Sequence, residues 1–261
     1  MVPSNLTPPK PEVLNELISY LETDETLYGV IYRNKRDGLS NDEIQSARGA
    51  AYPNFIWNYQ RYLKALLEGD IPSGVSLMNE VSVLCRKLLK QDSFSDSTKL
   101  YLSSCLNEID TRKSDPVLQV RTQNQVAKAS SELERKSTSG VYVYSLMHYL
   151  TYPYDPDSGR TLMKVGMSDR DVIRRFREQI RTTALPEEPI LLRIYESKAK
   201  EFSLTEIEKK FHNLLEAADH DRSKARTGGT EWFLTSLKFL DKIAETLKLD
   251  VITNKDLDSE G

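Results

Sequence analysis

The sequence predicts an α+β protein, with an all-helical N-terminal domain followed by a small three-stranded antiparallel sheet flanked by helices. Three observations predict it. Apolar residues recur at helical spacing from residue 12 to residue 109. Runs rich in β-branched and aromatic residues, Val141–Leu150, Leu162–Gly166 and Ile190–Tyr195, come only after that. Between the second and third of these lies an amphipathic helix that carries Arg174, Arg175, Arg177 and Arg181.

A chain of 261 residues is long enough for two modest domains, each burying its own core. The net charge of −3 sets up no global field toward nucleic acid, so any such attraction must be local. Lys164 to Arg181 supplies one, with six basic residues against Asp169, Asp171 and Glu178. Cys85 and Cys105 both sit in apolar helical contexts and read as buried thiols of a reducing compartment, without disulfide or zinc spacing. No stretch reaches the ~20 apolar residues of a membrane helix, and no signal-peptide pattern opens the chain, so a cytoplasmic protein without membrane contact is expected. Composition divides the chain into a proline-rich leader (1–11), a helical domain (12–113), a polar helical connector (114–138), a sheet-bearing domain (139–250) and an acidic tail (251–261).

The helical half begins with Val13, Leu14, Leu17, Ile18 and Leu21 on one helix face. Leu27–Arg33 reads either as a short strand or as a further helical turn. Ser40 and Glu43 have the spacing of a capping box. Gly49 then marks a tight turn, and Pro53 opens a second helix whose Phe55, Ile56, Tyr59, Tyr62, Leu63, Leu66 and Leu67 form its buried side. Helix, glycine turn, helix is the layout of a helix-turn-helix, and equally of any packed helical hairpin. If it reads DNA, Asn54, Asn58, Gln60, Arg61 and Lys64 are the reading residues. Trp57 is either a core anchor, the stronger expectation, or a wedge. Helices over Val75–Leu89 and from about Thr98 to Ile109 complete the domain, and Asp115-Pro116 begins the connector helix.

In the second half, Tyr142 and Tyr144 share a strand face by the period of two. A proline- and glycine-broken insert, residues 151–159, separates this strand from its antiparallel return. Ser168 and Asp169 are N-cap candidates for the arginine helix, whose Val172, Phe176 and Ile180 face the core. After the third strand, Ser203 and Glu206 form a second capping box, and Leu204, Ile207, Phe211 and Leu215 make a core stripe. Glu208 and His212 share the neighbouring stripe at i, i+4. Residues 219–230 form a basic loop, Glu231-Trp232-Phe233 follows, and a last helix runs from Leu234 to Leu247.

Gly140-Val141-Tyr142, Lys164-Val165-Gly166, an arginine on the next helix, Glu208-Lys209-Lys210-Phe211-His212 and Glu231-Trp232-Phe233 stand in one order. That order resembles the GIY-YIG endonuclease superfamily, within it a phage and bacterial subgroup with Lys-Ile-Gly as second motif and a closing Glu-Trp-Phe. The resemblance covers roughly Ser139 to Leu247 and none of the N-terminal half. It implies a metal-dependent DNA endonuclease, with one Mg²⁺ or Mn²⁺ held by Glu208; restriction or phage defence would suit the subgroup. Lys164 stands where the superfamily usually has a tyrosine, and an asparagine often near its site is missing or replaced by Glu231.

Under that resemblance Tyr142 is the base or positioner for the attacking water. A phenol with a pKa near ~10 serves as base only if cations such as Lys164 and the arginines depress it. Lys164 is itself either base or charge stabiliser. Arg175 matches the phosphate-clamping position and Arg174 a backbone contact. His212 either relays protons or satisfies a local hydrogen bond. Arg177, Arg222, Lys224 and Arg226 suit phosphate-backbone contact, as do Asn58 and Arg61 in the helical half. With one such centre per chain, double-strand cutting calls for a homodimer. The competing expectation is a DNA-binding or regulatory protein whose nuclease-like domain does not cleave; a third is a helical interaction protein.

Overall fold

The computed structural model describes residues 6–48, 55–135, 138–182, 185, 187–197, 202–220 and 231–253. The chain divides into two compact units at Gln119/Val120. Each is α or α+β as its sequence pattern dictates, and each has its own core.

The first unit holds α1 (Pro11–Thr23), α2 (Leu27–Arg36), α3 (Asn41–Arg48), α4 (Phe55–Glu68), α5 (Val75–Leu89) and α6 (Asp96–Lys113). The Leu27–Arg33 stretch is helical because the buried Asp24 caps it, accepting from the amides of Thr26 and Gly29 at 3.2 Å each. Arg33 closes the turn from the other side, its Nη1 donating to the carbonyls of Leu21, Glu22 and Asp24. Ser40 and Glu43 make both bonds of the capping box. The turn at Gly49, Pro53 and the reading residue Asn54 lie outside the described residues. Trp57 is not a core anchor: it is 59% exposed, because it stands about 100° round α4 from Ile56 and off the stripe of Tyr59, Tyr62, Leu63 and Leu66. Cys85 and Cys105 are free and buried.

α7 (Pro116–Leu133) spans the division between the units. The second unit continues with β1 (Gly140–Ser145), α8 (Met147–Thr151), β2 (Thr161–Ser168), α9 (Val172–Thr182), β3 (Ile190–Glu196), α10 (Leu204–Ala217), β4 (Trp232–Thr235), α11 (Leu237–Thr246) and β5 (Asp250–Thr253). Among the described residues the sheet has five antiparallel strands, in the order β4-β2-β1-β3-β5, rather than three. The two extra strands are four-residue edges. β4 takes up Leu234 and Thr235, which read as the start of the last helix, and β5 falls where the tail reads as polar. The first strand ends at Ser145, whose hydroxyl donates to the Leu162 carbonyl, and Met147–Thr151 coils into a short helix instead of extending the sheet.

One sheet face carries Tyr142, Tyr144, Leu191 and Ile194 against α9; the other carries Val141, Val143, Val165 and Leu192 against α10 and α11. Both faces are therefore covered. No helix among the described residues is long and apolar enough to cross a membrane.

Candidate functional site

The two glycines of the short motifs are places of close approach. A Cβ on Gly140 would lie 2.5 Å from the Tyr195 carbonyl oxygen. Gly166 stands opposite Tyr142 in the β1–β2 register, and a Cβ there would lie 2.9 Å from the phenol oxygen and 3.0 Å from Cζ. The tyrosine ring thus rests across the neighbouring strand where no side chain intervenes. Tyr142 is fully buried, its ring 6.3 Å from that of Tyr144 and almost parallel to it, and its hydroxyl donates to Gln179 Oε1 at 2.8 Å. Gly166→Ala is expected to push this ring aside at a cost of about 1–3 kcal/mol. Chemical denaturation checks the loss, and an unchanged midpoint would mean that the ring has room elsewhere.

Lys164 stands opposite Tyr144 on β1 and Trp232 on β4. Its ammonium is 3.0 Å from Glu231 Oε2 and 5.6 Å from the centre of the Tyr144 ring. Trp232 meets Tyr144 edge-on at 5.5 Å. Among the described residues the β2–β4 ladder runs no further than Lys164, with one more bond from the Val165 amide to the Glu231 carbonyl. The next edge-facing groups of β2 need other partners. Side chains of α10 supply them. His212 Nε2 lies 3.2 Å from the Val165 carbonyl, which fixes Nε2 as the protonated nitrogen, and Glu208 accepts from the Met167 amide. Two helical residues one turn apart are thereby held against the backbone of β2 beyond Lys164.

α9 brings the arginines. Its N-cap is Asp171 rather than Ser168 or Asp169: Asp171 Oδ1 accepts from the amides of Ile173 and Arg174, while the Ser168 hydroxyl donates to the Asp171 carbonyl. Val172, Ile173 and Phe176 are buried, and Arg175 is exposed on the same edge as Gln179, one turn on. Among the described residues Arg175 has no carboxylate partner. Arg174 and Arg177 do: Arg174 pairs with Glu178 at 2.9 Å and Arg177 with Glu134 at 3.0 Å.

The charges of these groups reach one another. Burial pushes the Tyr142 phenol well above its ordinary value; Glu231 and Tyr144 push the same way, Arg175 pulls against them, and Glu208 adds to the rise. Burial and Glu231 raise Tyr144 likewise. The expected depression of the phenol by cations is therefore reversed, because the ring is out of water and the Lys164 ammonium is engaged by Glu231. The Glu208 carboxyl is also raised, by burial first and by Glu231 second, with Lys164 and the Met167 amide opposing.

Tyr142, Lys164, Arg175, Glu208 and His212 are thus gathered around Gly166. Arg174 and Arg177 lie on the far edge of α9. Asn58 and Arg61, both half-buried, belong to the helical unit, and Arg222, Lys224 and Arg226 lie outside the described residues. Gln179 joins the site without a signal in the sequence. Glu231 had one, as the acid that opens Glu-Trp-Phe, and the Lys164 pair gives it a place.

No curated protein and no solved structure matches the chain. The family model that matches is that of a different, nuclease-like family, which overturns the resemblance to the GIY-YIG superfamily. The tripeptides that carried it mark, in this chain, a glycine under a tyrosine ring and a glycine against β3, demands that any tightly paired sheet can make. Residues 140–248, from the start of β1 to the turn after α11, match the model of the T5orf172 domain, a nuclease-associated family compatible with a DNA-related function.

Proposed function

We propose that the sheet-bearing unit is a metal-dependent DNA endonuclease domain that hydrolyses phosphodiester bonds beside β2. One observation carries the reading: Tyr142 over Gly166, Lys164 paired with Glu231, and Glu208 and His212 bonded to the backbone of Met167 and Val165 meet along one stretch of β2. In this reading Arg175 clamps the phosphate through its fork. Lys164 offsets the developing negative charge. Tyr142, which burial keeps protonated, orients the attacking water by hydrogen bonding rather than by taking its proton. His212 holds α10 to β2 so that Glu208 faces the substrate.

Glu208 fits a hard divalent cation, Mg²⁺ or Mn²⁺. Its carboxylate is half-buried with Glu231 beside it, and Mg²⁺ needs only one or two carboxylates when water and phosphate oxygens complete its shell. No group of three or more His, Cys, Asp or Glu among the described residues could hold a metal alone. Bound there, the cation would polarise the phosphate and stabilise the leaving oxygen.

The burial of Tyr142, whose hydroxyl is taken by Gln179, favours a second reading, a DNA-binding or regulatory protein that does not cleave. Plasmid nicking in Mg²⁺ or Mn²⁺ separates them. Wild type is expected to nick and Glu208→Ala to lose nicking; nicking that survives the substitution rejects the metal assignment. In the metal-free protein the Glu208 carboxyl should titrate at lower pH in Glu231→Gln than in wild type, as followed by NMR, because removing a like charge favours its ionised form. Wild type that retains DNA in a gel shift without cutting it supports the second reading.

A further inference from the structure

The two edges of α9 face different surroundings. Arg175 and Gln179 lie on the Tyr142 side. Arg174, Arg177, Glu178 and Arg181 line an open cavity of about 440 Å³ on the other side, closed by Glu134 and Arg135 beyond the end of α7 and by Asp171 and Ile173. Each carboxylate there is engaged. Glu134 accepts two bonds from Arg177, at 3.1 and 3.0 Å. Glu178 accepts from Arg174, and Asp171 accepts from the first amides of the helix. Arg135 and Arg181 have no carboxylate partner among the described residues, and both are exposed.

We propose that this cavity is a second phosphate subsite, in which Arg135 and Arg181 take one phosphate of a nucleic-acid backbone on the far side of α9 from Tyr142. The proposal rests on the DNA reading of this unit and adds a contact that reading does not contain. Two guanidinium groups without carboxylates, facing one roomy cavity, suit a tetrahedral dianion or diester, since each fork offers parallel donors to a pair of oxygens. The ion-paired Arg174 and Arg177 form the walls. Their pairs neutralise them, so the site has the strength of one phosphate contact and not of four. A phosphate held here fixes the strand relative to α9, and with it the phosphate that Arg175 would meet.

Fluorescence anisotropy of a labelled duplex oligonucleotide with the full chain in EDTA, at about 50 to 200 mM salt, tests this. The Arg135→Ala/Arg181→Ala variant is expected to bind about 10-fold more weakly and to flatten the plot of log K against log salt by about one. Its melting temperature should match wild type, as both side chains are exposed. Lys242→Ala, on an exposed α11 pair with Glu245, is the control and should change neither quantity. The double variant binding within twofold of wild type on the same slope overturns the proposal, as does wild type that binds no duplex. Calorimetric binding of inorganic phosphate, lost in the double variant while its duplex affinity stays unchanged, would make the cavity a free-anion site and overturn the backbone assignment. Failure of the cleavage reading is distinct: wild type that never nicks in Mg²⁺, with the double variant still impaired in binding, removes the nuclease and leaves the subsite.

Discussion

Arg175→Ala is expected to lower the nicking rate about 10²–10³-fold while melting at the wild-type temperature. The magnitude is that of removing one preorganised donor aimed at developing charge. Retention of the fold follows from position. Arg175 is exposed on α9, the packing being done by Val172, Ile173 and Phe176 around it, and alanine is the better helix former. Its charge still reaches the buried phenol, where it is the one influence that pulls Tyr142 downward. Arg175→Lys separates charge from shape. The ammonium keeps the field but offers no planar fork, so a partial recovery identifies a bidentate clamp, and full recovery a mere point charge. Wild-type nicking by the alanine variant would remove Arg175 from the site. Unfolding of that variant would make it a structural residue.

What could be read from the sequence was what depends on neighbours in the chain. The capping boxes at Ser40 and Ser203 are local bonds between residues three apart, and both are present. Tyr142 and Tyr144 share a face because strand geometry alternates, whatever the partner strands are. What escaped is set by pairing across long separations. β4 and β5 are four residues each, too short for a periodic signal, and exist because β2 and β3 offer them edges. Gln179 enters the site only because α9 lies over β1. Glu208 and His212 were legible as a pair on one stripe. Their reason was not, since the Val165 carbonyl and Met167 amide they bond are set beside α10 by the sheet. The direction of the Tyr142 shift failed for a related cause: a count of nearby cations takes no account of how completely the ring is withdrawn from water.

Asp241→Ala is expected to cost the sheet-bearing unit about 3–5 kcal/mol, the largest stability loss of any single substitution considered. The β1–β3 register shifts between Val143 and Tyr144, so that Val143 pairs with Arg193 and Tyr144 with Leu191. This irregularity turns Arg193 to the α11 face, where its side chain is only 4% exposed. There Nε donates to the two Asp241 oxygens at 3.3 and 3.4 Å, Nη1 donates to the Leu192 carbonyl, and the Tyr195 hydroxyl donates to Asp241 Oδ1 at 2.7 Å. Truncating Asp241 takes a carboxylate from a buried guanidinium and an acceptor from a buried phenol at once. Against a total stability of about 5–15 kcal/mol, and at roughly 2–4 °C per kcal/mol, this lowers the melting temperature of that unit by roughly 6–20 °C. Arg193→Met/Asp241→Leu should recover the part of the loss that comes from the guanidinium and not the part from the Tyr195 hydroxyl, because an apolar pair of similar volume has no charge to desolvate. Calorimetry of the three proteins checks both statements. An Asp241→Ala variant melting within about 2 °C of wild type would mean that the other contacts of Arg193 and Tyr195 replace the carboxylate, and would overturn the prediction.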